Sequence, residues 1–260
     1  MPIPPPHEPV ISYEYPLNER VRTLLRLENL FDRFVHHATL DAAIEHHAAL
    51  LTLFDVFEVV YRTELKSDLA QELERQRQAL GVWRHNPAVS AEMLDRVLNQ
   101  IDYASARLLE LTGKSGQHLR DNEWLMNIKQ RTTIPGGVCE FDLPSYQYWL
   151  NRDVDTRQRD LAAWMGPLLP IREAIAIVLK LLREAGKASA HVARKGLFQQ
   201  MLAGKVAQLV RVHLAREYDC VPEISANKHA LNIRFIVFAP NQRSKVAEAD
   251  VEFDLAFCNL

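Results

Sequence analysis

The chain has 260 residues, 48% of them apolar and 25% charged, with a net charge of −2. That balance is ordinary for a soluble globular protein with a sizeable core and excludes extended disorder. The longest apolar run, residues 171–182, is broken by Arg172, Glu173 and Lys180, well short of the roughly 20 apolar residues that span a bilayer, so no membrane insertion is expected.

The proline-rich start has no apolar core segment, and no signal peptide is expected. Residues 11–15 then alternate as a strand does, and Pro16 and Asn18 introduce an amphipathic helix to about residue 37. Thr39 and Asp41 start a second, to about residue 61, with Leu40, Ile44, Leu50, Leu51, Phe54 and Phe57 apolar. Thr63 can cap a third carrying Leu65, Leu69, Leu73, Leu80 and Trp83, which His85-Asn86-Pro87 breaks. Ser90 caps a helix to about residue 111, Gly113 and Gly116 punctuate, and residues 117–132 read as a helix leading into an Ile-Pro-Gly-Gly turn at 134–137. The stretch 136–143 looks extended. Short helices near 146–150 and 156–165 precede a strongly apolar helix over 169–185, the simplest centre for a bundle.

From about Lys195 the period changes to two, and residues 197–202, 206–214, 229–238 and 251–257 read as strands. The expected fold class is α+β: a helical bundle domain plus a smaller antiparallel β-sheet domain with one packed and one wet face. A Pro-rich tail and short strand would cover 1–15, the helical domain 16–187, and the β-domain 188–260. Strands 11–15 and 136–143 would join that sheet. Cys139, Cys220 and Cys258 form no close-spaced pair, which points to reduced, buried thiols on strands in the cytosol.

Thr112-Gly113-Lys114-Ser115-Gly116 ends like a phosphate loop, but position 108 is Leu108 and a helix precedes it, so a helix connection explains it. His36-His37 and His46-His47 are adjacent pairs, whereas chelation from one helix needs ligands at i and i+4. No metal or cofactor is expected. No nucleophile has an evident base; an enzyme would need a site that the sequence does not disclose.

Basic residues carry more. Arg22, Arg26 and Arg33 share one side of the first helix, roughly opposite Leu24, Leu25, Phe31, Phe34 and Val35; they fit either a binding surface or a solvated face with local ion pairs. Arg120, Lys129 and Arg131 precede the turn. On the sheet, Arg211, His213 and Arg234 are expected on one wet face. The segment 187–245 holds ten Lys or Arg against Glu217, Asp219 and Glu223, which favours an acidic partner. A nucleic-acid-binding module is the rival reading of such a patch, but the whole chain is slightly acidic and no recognised reading motif is present.

Two stretches, Pro16-Leu17-Asn18-Glu19 with Arg22-Thr23 and Leu25-Arg26, and Ile134-Pro135-Gly136-Gly137 through Cys139 to Phe141-Asp142-Leu143-Pro144, resemble the ZapD family of bacterial cell-division proteins. Residues 53–64, 232–238 and 253–258 are similar to it as well, while the first nine residues are extra and 90–114 match loosely. The resemblance implies a non-enzymatic cytoplasmic protein at the midcell division site that binds the C-terminal tail of FtsZ. As a homodimer it would cross-link and bundle FtsZ filaments, a bivalent mechanism that needs two copies of one face. Surplus apolar helices place the expected dimer contact on the helical domain. The tail would meet Arg22 and Arg26, helped by Arg120, Lys129 or Arg131, with Arg211 and Arg234 as further partner-binding candidates.

Overall fold

A computed structural model describes residues 10–202, 204, 206–239 and 243–260; the proline-rich tail over residues 1–9 lies outside them. The chain divides into two compact units, residues 1–22 with 180–260, and residues 23–179.

The second unit is helical. Helix α1 (Glu19–Ala38) enters it at Thr23 and buries Leu24, Leu27, Phe31 and Phe34 at helical spacing. Leu25 and Val35 fall at the margins of that stripe, Val35 being 36% exposed. α2 (Ala43–Arg62) buries residues on nearly every side, among them His46, Leu50, Leu53, Phe54, Val56, Phe57 and Val60. A helix apolar all round belongs in an interior, and α2 packs against α6 (Glu123–Thr132), α7 (Pro144–Leu150) and α8 (Val154–Met165). It shares the centre expected for α9 (Leu169–Glu184), whose Ile171, Ala174, Ile175, Val178 and Leu179 are also buried.

Helices α3 (Leu65–Gly81) and α4 (Ala91–Glu110) pack as a pair, with Leu69 and Leu73 buried on one and Leu94, Leu98, Ile101 and Leu108 on the other. Ser90 caps α4 as expected, accepting from the Met93 amide. Thr63 does not cap α3: its hydroxyl donates to the Val59 carbonyl and so finishes α2. Thr39 likewise donates to the His36 carbonyl, and α2 starts only at Ala43. The single helix expected over 117–132 is two, α5 (Gln117–Arg120) and α6, because Asn122 restarts the chain by accepting the Leu125 amide at 3.0 Å.

Residues 136–143 form successive turns, not a strand. Their backbone groups bond locally: Gly137 N to the Ile134 carbonyl at 2.8 Å, and Asp142 N and Leu143 N to the Cys139 carbonyl at 3.0 Å. Amides satisfied at i+3 and i+4 are not available for a ladder. Cys139 consequently sits exposed in a turn, whereas Cys220 and Cys258 are buried on strands.

The first unit holds two sheets where one was expected. One runs β1-β4-β8-β2 and the other β3-β6-β5 with β7 also pairing β6, all antiparallel. The strands are β1 (Val10–Pro16), β2 (Lys187–Ala193), β3 (Leu197–Met201), β4 (Leu209–Ala215), β5 (Cys220–Ala226), β6 (Ala230–Val237), β7 (Lys245–Val246) and β8 (Val251–Cys258). Val210, Val212 and Leu214 of β4 share a core with Leu231, Ile233 and Phe235 of β6 and with Val251, Phe253 and Leu255 of β8. This is a sandwich with period-two inner faces. Neither β2 nor β5 was expected. β2 reads Lys-Ala-Ser-Ala-His-Val-Ala, poor in branched and aromatic residues; β5 contains Pro222, which its edge position tolerates.

Candidate partner-binding residues

Within the first unit, Arg22 stands at the corner where β1 passes into α1. Asn18 opens that helix by accepting the Val21 amide at 2.8 Å. The Arg22 guanidinium donates from Nε to Glu19 at 3.1 Å and from Nη2 to the Pro16 carbonyl at 3.4 Å, and it lies 5.9 Å from the Tyr15 ring centroid. Three anchors fix its direction while 36% of the side chain stays exposed.

Arg211 faces outward on β4, in register with Glu14 of β1, with Nε 3.2 Å from Oε1. Arg183 takes the same carboxylate through two bonds, Nε to Oε1 at 2.8 Å and Nη2 to Oε2 at 2.7 Å. Glu14 is therefore enclosed by two guanidiniums. Arg234 faces outward on β6 and pairs with Glu223 across the β5 ladder at 2.7 Å. Because the inner faces of both sheets point into one core, Arg211 and Arg234 emerge on opposite outer faces, and the expected wet face holding Arg211, His213 and Arg234 together does not form.

Arg211 does share its face with His213, whose Nδ1 is 2.7 Å from the Ser12 hydroxyl. Burial pushes this imidazole below its ordinary value, Arg211 adds to that, and Asp254 and Glu14 oppose it. A groove of about 670 Å³ runs over this face, lined by Val10, Ala190, Val192, His213, Glu252 and Asp254. Asp254 is the cross-strand neighbour of His213 but makes no hydrogen bond to it among the described residues. The row thus lacks a third group orienting the base, which a nucleophile–base pair needs.

In the helical unit, Arg26 is exposed on α1 one turn beyond Arg22, and Arg120 is exposed at the end of α5. Lys129 on α6 pairs with Glu58 of α2, which Arg62 also contacts, and its ammonium lies 5.8 Å from the Phe57 ring. The hydrogen bond from Lys129, with Arg62 nearby, holds the Glu58 carboxyl below the usual carboxylate range against the opposing effect of burial. Arg131 reaches Asp142 at 3.6 Å and so ties the end of α6 to the turns after it. At least five of the seven candidate cations, Arg22, Lys129, Arg131, Arg211 and Arg234, therefore already face a carboxylate.

A family model for ZapD, described as a cell division protein, matches residues 25–234. The chain belongs to the ZapD family of cell division proteins. It is 54% identical to the cell division protein ZapD of Aromatoleum aromaticum over 253 residues, covering 97% of this chain and 99% of that one. Against the ZapD proteins of Dechloromonas aromatica and Nitrosomonas europaea the identities are 52% and 51%, covering 96% of this chain and 100% and 96% of theirs. The matched span contains six of the seven candidates; Arg22 lies three residues before it.

Other features of this ZapD-family chain have structural explanations. In the Gly-Lys-Ser loop the Lys114 ammonium lies 3.8 Å from the Tyr61 ring centroid, and α4, not a strand, comes before it. The paired histidines diverge: His37 Nδ1 meets Glu45 at 2.6 Å, His47 Nδ1 meets the Tyr146 hydroxyl at 2.6 Å, and His46 is buried. Among the described residues no group of three or more His, Cys, Asp or Glu is placed to hold a metal, and no helix is long and apolar enough to cross a membrane. Arg183 and Glu14 went unnoticed in the sequence, because nothing local marks two residues as partners across 169 positions.

Proposed function

We propose that this ZapD-family chain binds the C-terminal tail of FtsZ and, as a homodimer, cross-links and bundles FtsZ filaments at the midcell division site, in the cytoplasm and without catalysis. The observation that carries the reading is the family match across residues 25–234, with relatives named cell division protein ZapD at 51–54% identity over nearly the whole chain. Arg22, Arg26 and Arg120 are the contacts we favour for carboxylates of the tail. Arg22 is oriented before binding, which lowers the ordering cost of a contact, and Arg26 and Arg120 are exposed. Arg22, Lys129, Arg131, Arg211 and Arg234 would each have to exchange an internal carboxylate for an external one, a smaller net gain, and among these Arg22 is favoured for its fixed orientation. That same pairing disfavours a nucleic-acid surface, where clustered cations must be available to phosphates.

Sedimentation of polymerised FtsZ with and without the protein tests the function. Titration of a labelled FtsZ tail peptide tests the residues: Arg26→Glu with Arg120→Glu is expected to weaken binding by about 2 to 5 kcal/mol if the contacts are desolvated. Equal affinity in the folded variant would remove both residues from the site. A strictly monomeric mass with bundling intact would remove the bivalent mechanism.

A further inference from the structure

Helices α2, α7 and α8 meet around a buried imidazole. His46 of α2 is fully buried, neither ring nitrogen has a hydrogen-bond partner among the described residues, and its ring lies 6.5 Å from that of Trp149 on α7. Arg157 of α8, 4% exposed, works beside it as a clamp. Its Nη1 donates to the Leu150 carbonyl at the end of α7 at 2.9 Å, and its Nη2 donates to the Asp41 carbonyl just before α2 at 2.8 Å. Its Nε has no partner. One guanidinium thus holds three elements at a point where a protonated His46 would add a second positive charge.

The rest of the junction is aromatic. Tyr146 stacks on Trp149 with ring centroids 6.0 Å apart and 14° between planes, and Trp124 and Trp164 each lie within contact of Trp149. Trp149 Nε1 donates to Asp160 of α8 at 2.9 Å. α7 has only seven residues, too few to be helical alone in water, so its conformation depends on this packing and on Arg157.

We infer that the junction is an acid-sensitive latch: a proton taken up by His46 places an imidazolium beside Arg157 inside the aromatic cluster, and the junction answers by releasing α7. The groups that act on His46 are Arg157 from α8 and, on its own N-terminal side, Asp41, Glu45 and the Leu40 carbonyl; from α7 the Trp149 ring meets it, and Asp160 is taken by Trp149. Burial first, then Arg157, push His46 below its ordinary value of 6.5, against the pull of the Leu40 carbonyl, Asp41 and Glu45. Burial lowers His47 too. A depressed folded-state value means that the unfolded or opened form takes up the proton first, so the stabilisation is present above about 6.5 and is lost as the pH falls from there.

Hydrogen–deuterium exchange on the full chain at pH 7.5 and 5.5, corrected for intrinsic rates, tests the latch. Opening of the residue 145–150 amides is expected to rise severalfold at the lower pH, and His46→Phe is expected to abolish the rise. Equal opening at both pH values, or the same rise in a folded His46→Phe protein, would overturn the inference. Should that variant fail to fold, NMR titration of the wild type decides: the His46 ring and the Trp149 indole N–H must shift together with a midpoint below 6.5, and a His46 transition that leaves the indole unmoved sinks the proposal.

Discussion

Glu14 and Arg183, 169 positions apart in the chain, close a two-bond fork at 2.8 and 2.7 Å on the outer face of the β1-β4-β8-β2 sheet. Arg211 adds a third contact to the same carboxylate. The three side chains are 19–26% exposed, so water screens them less than an ordinary surface pair. Glu14→Gln keeps the shape and removes the charge, leaving two guanidiniums facing each other. The expected loss is about 1–3 kcal/mol, below the cost for a fully buried pair. Urea denaturation of the single variants and of Glu14→Gln with Arg183→Leu gives the coupling; additive losses would show that the fork contributes nothing.

Gly137→Ala is expected to destabilise the helical unit, because Gly137 is buried within a turn whose neighbours Pro135, Gly136 and Cys139 are exposed. An added Cβ would run into the Arg131 carbonyl and lie 2.8 Å from the Ile134 Cβ. The obstructing oxygen is backbone, so the turn itself must move, at a cost of about 1–3 kcal/mol. Thermal melting checks this, and an unchanged Tm would mean that the turns shift freely.

His213 makes the sandwich weaker on the acid side. Its imidazole is held below the usual value chiefly by burial, so the unfolded chain binds the proton first, and stability falls as the pH drops below about 6.5 and levels off below the folded value. His213→Asn should flatten that part of the profile when denaturation is followed at pH 7.5, 6.5 and 5.5. A variant whose profile parallels the wild type would assign the slope to other groups.

The cysteines should separate by reactivity. Cys139 is exposed, whereas Cys220 and Cys258 are buried and burial raises both thiols, with Asp219 adding to the effect at Cys220. Thiolate is the reacting form. Maleimide at pH 7 should therefore label Cys139 quickly in the folded protein and the other two only in denaturant; rapid labelling of Cys258 would contradict its burial on β8.

What could be read from sequence was local. Ser90 announces α4, and the alternation through Val210, Val212 and Leu214, or Ile233 and Phe235, announces strands, because capping and period are written in neighbouring residues. Residues 136–143 misled because Val138, Cys139 and Phe141 suit a strand while the amides are used in turns. Pro222 hid β5 at the edge of one sheet, and small residues hid β2 at the edge of the other, where its partner β8 is far away in sequence. For the basic residues, Arg22, Arg26, Arg120, Lys129, Arg131, Arg211 and Arg234 could be singled out by type, but of their carboxylates only Glu19, a local partner three residues before Arg22, could be. Glu58 is distant from Lys129 in sequence, and Arg211 meets Glu14 only once β1 lies against β4.

The pairing of β1 with β4 sets an order of events during synthesis. Val10 lies opposite Ala215, so β1 has no ladder until more than two hundred residues have followed it. In between, all of residues 23–179 emerge, and that unit contains its own packed helices. Through this interval β1 is an unpaired segment, and its Val10 and Ile11 stay exposed even in the folded chain; unpaired strand edges recruit other chains. Fusions or deletions at this end should therefore act less on the finished protein than on the yield of chains that reach it.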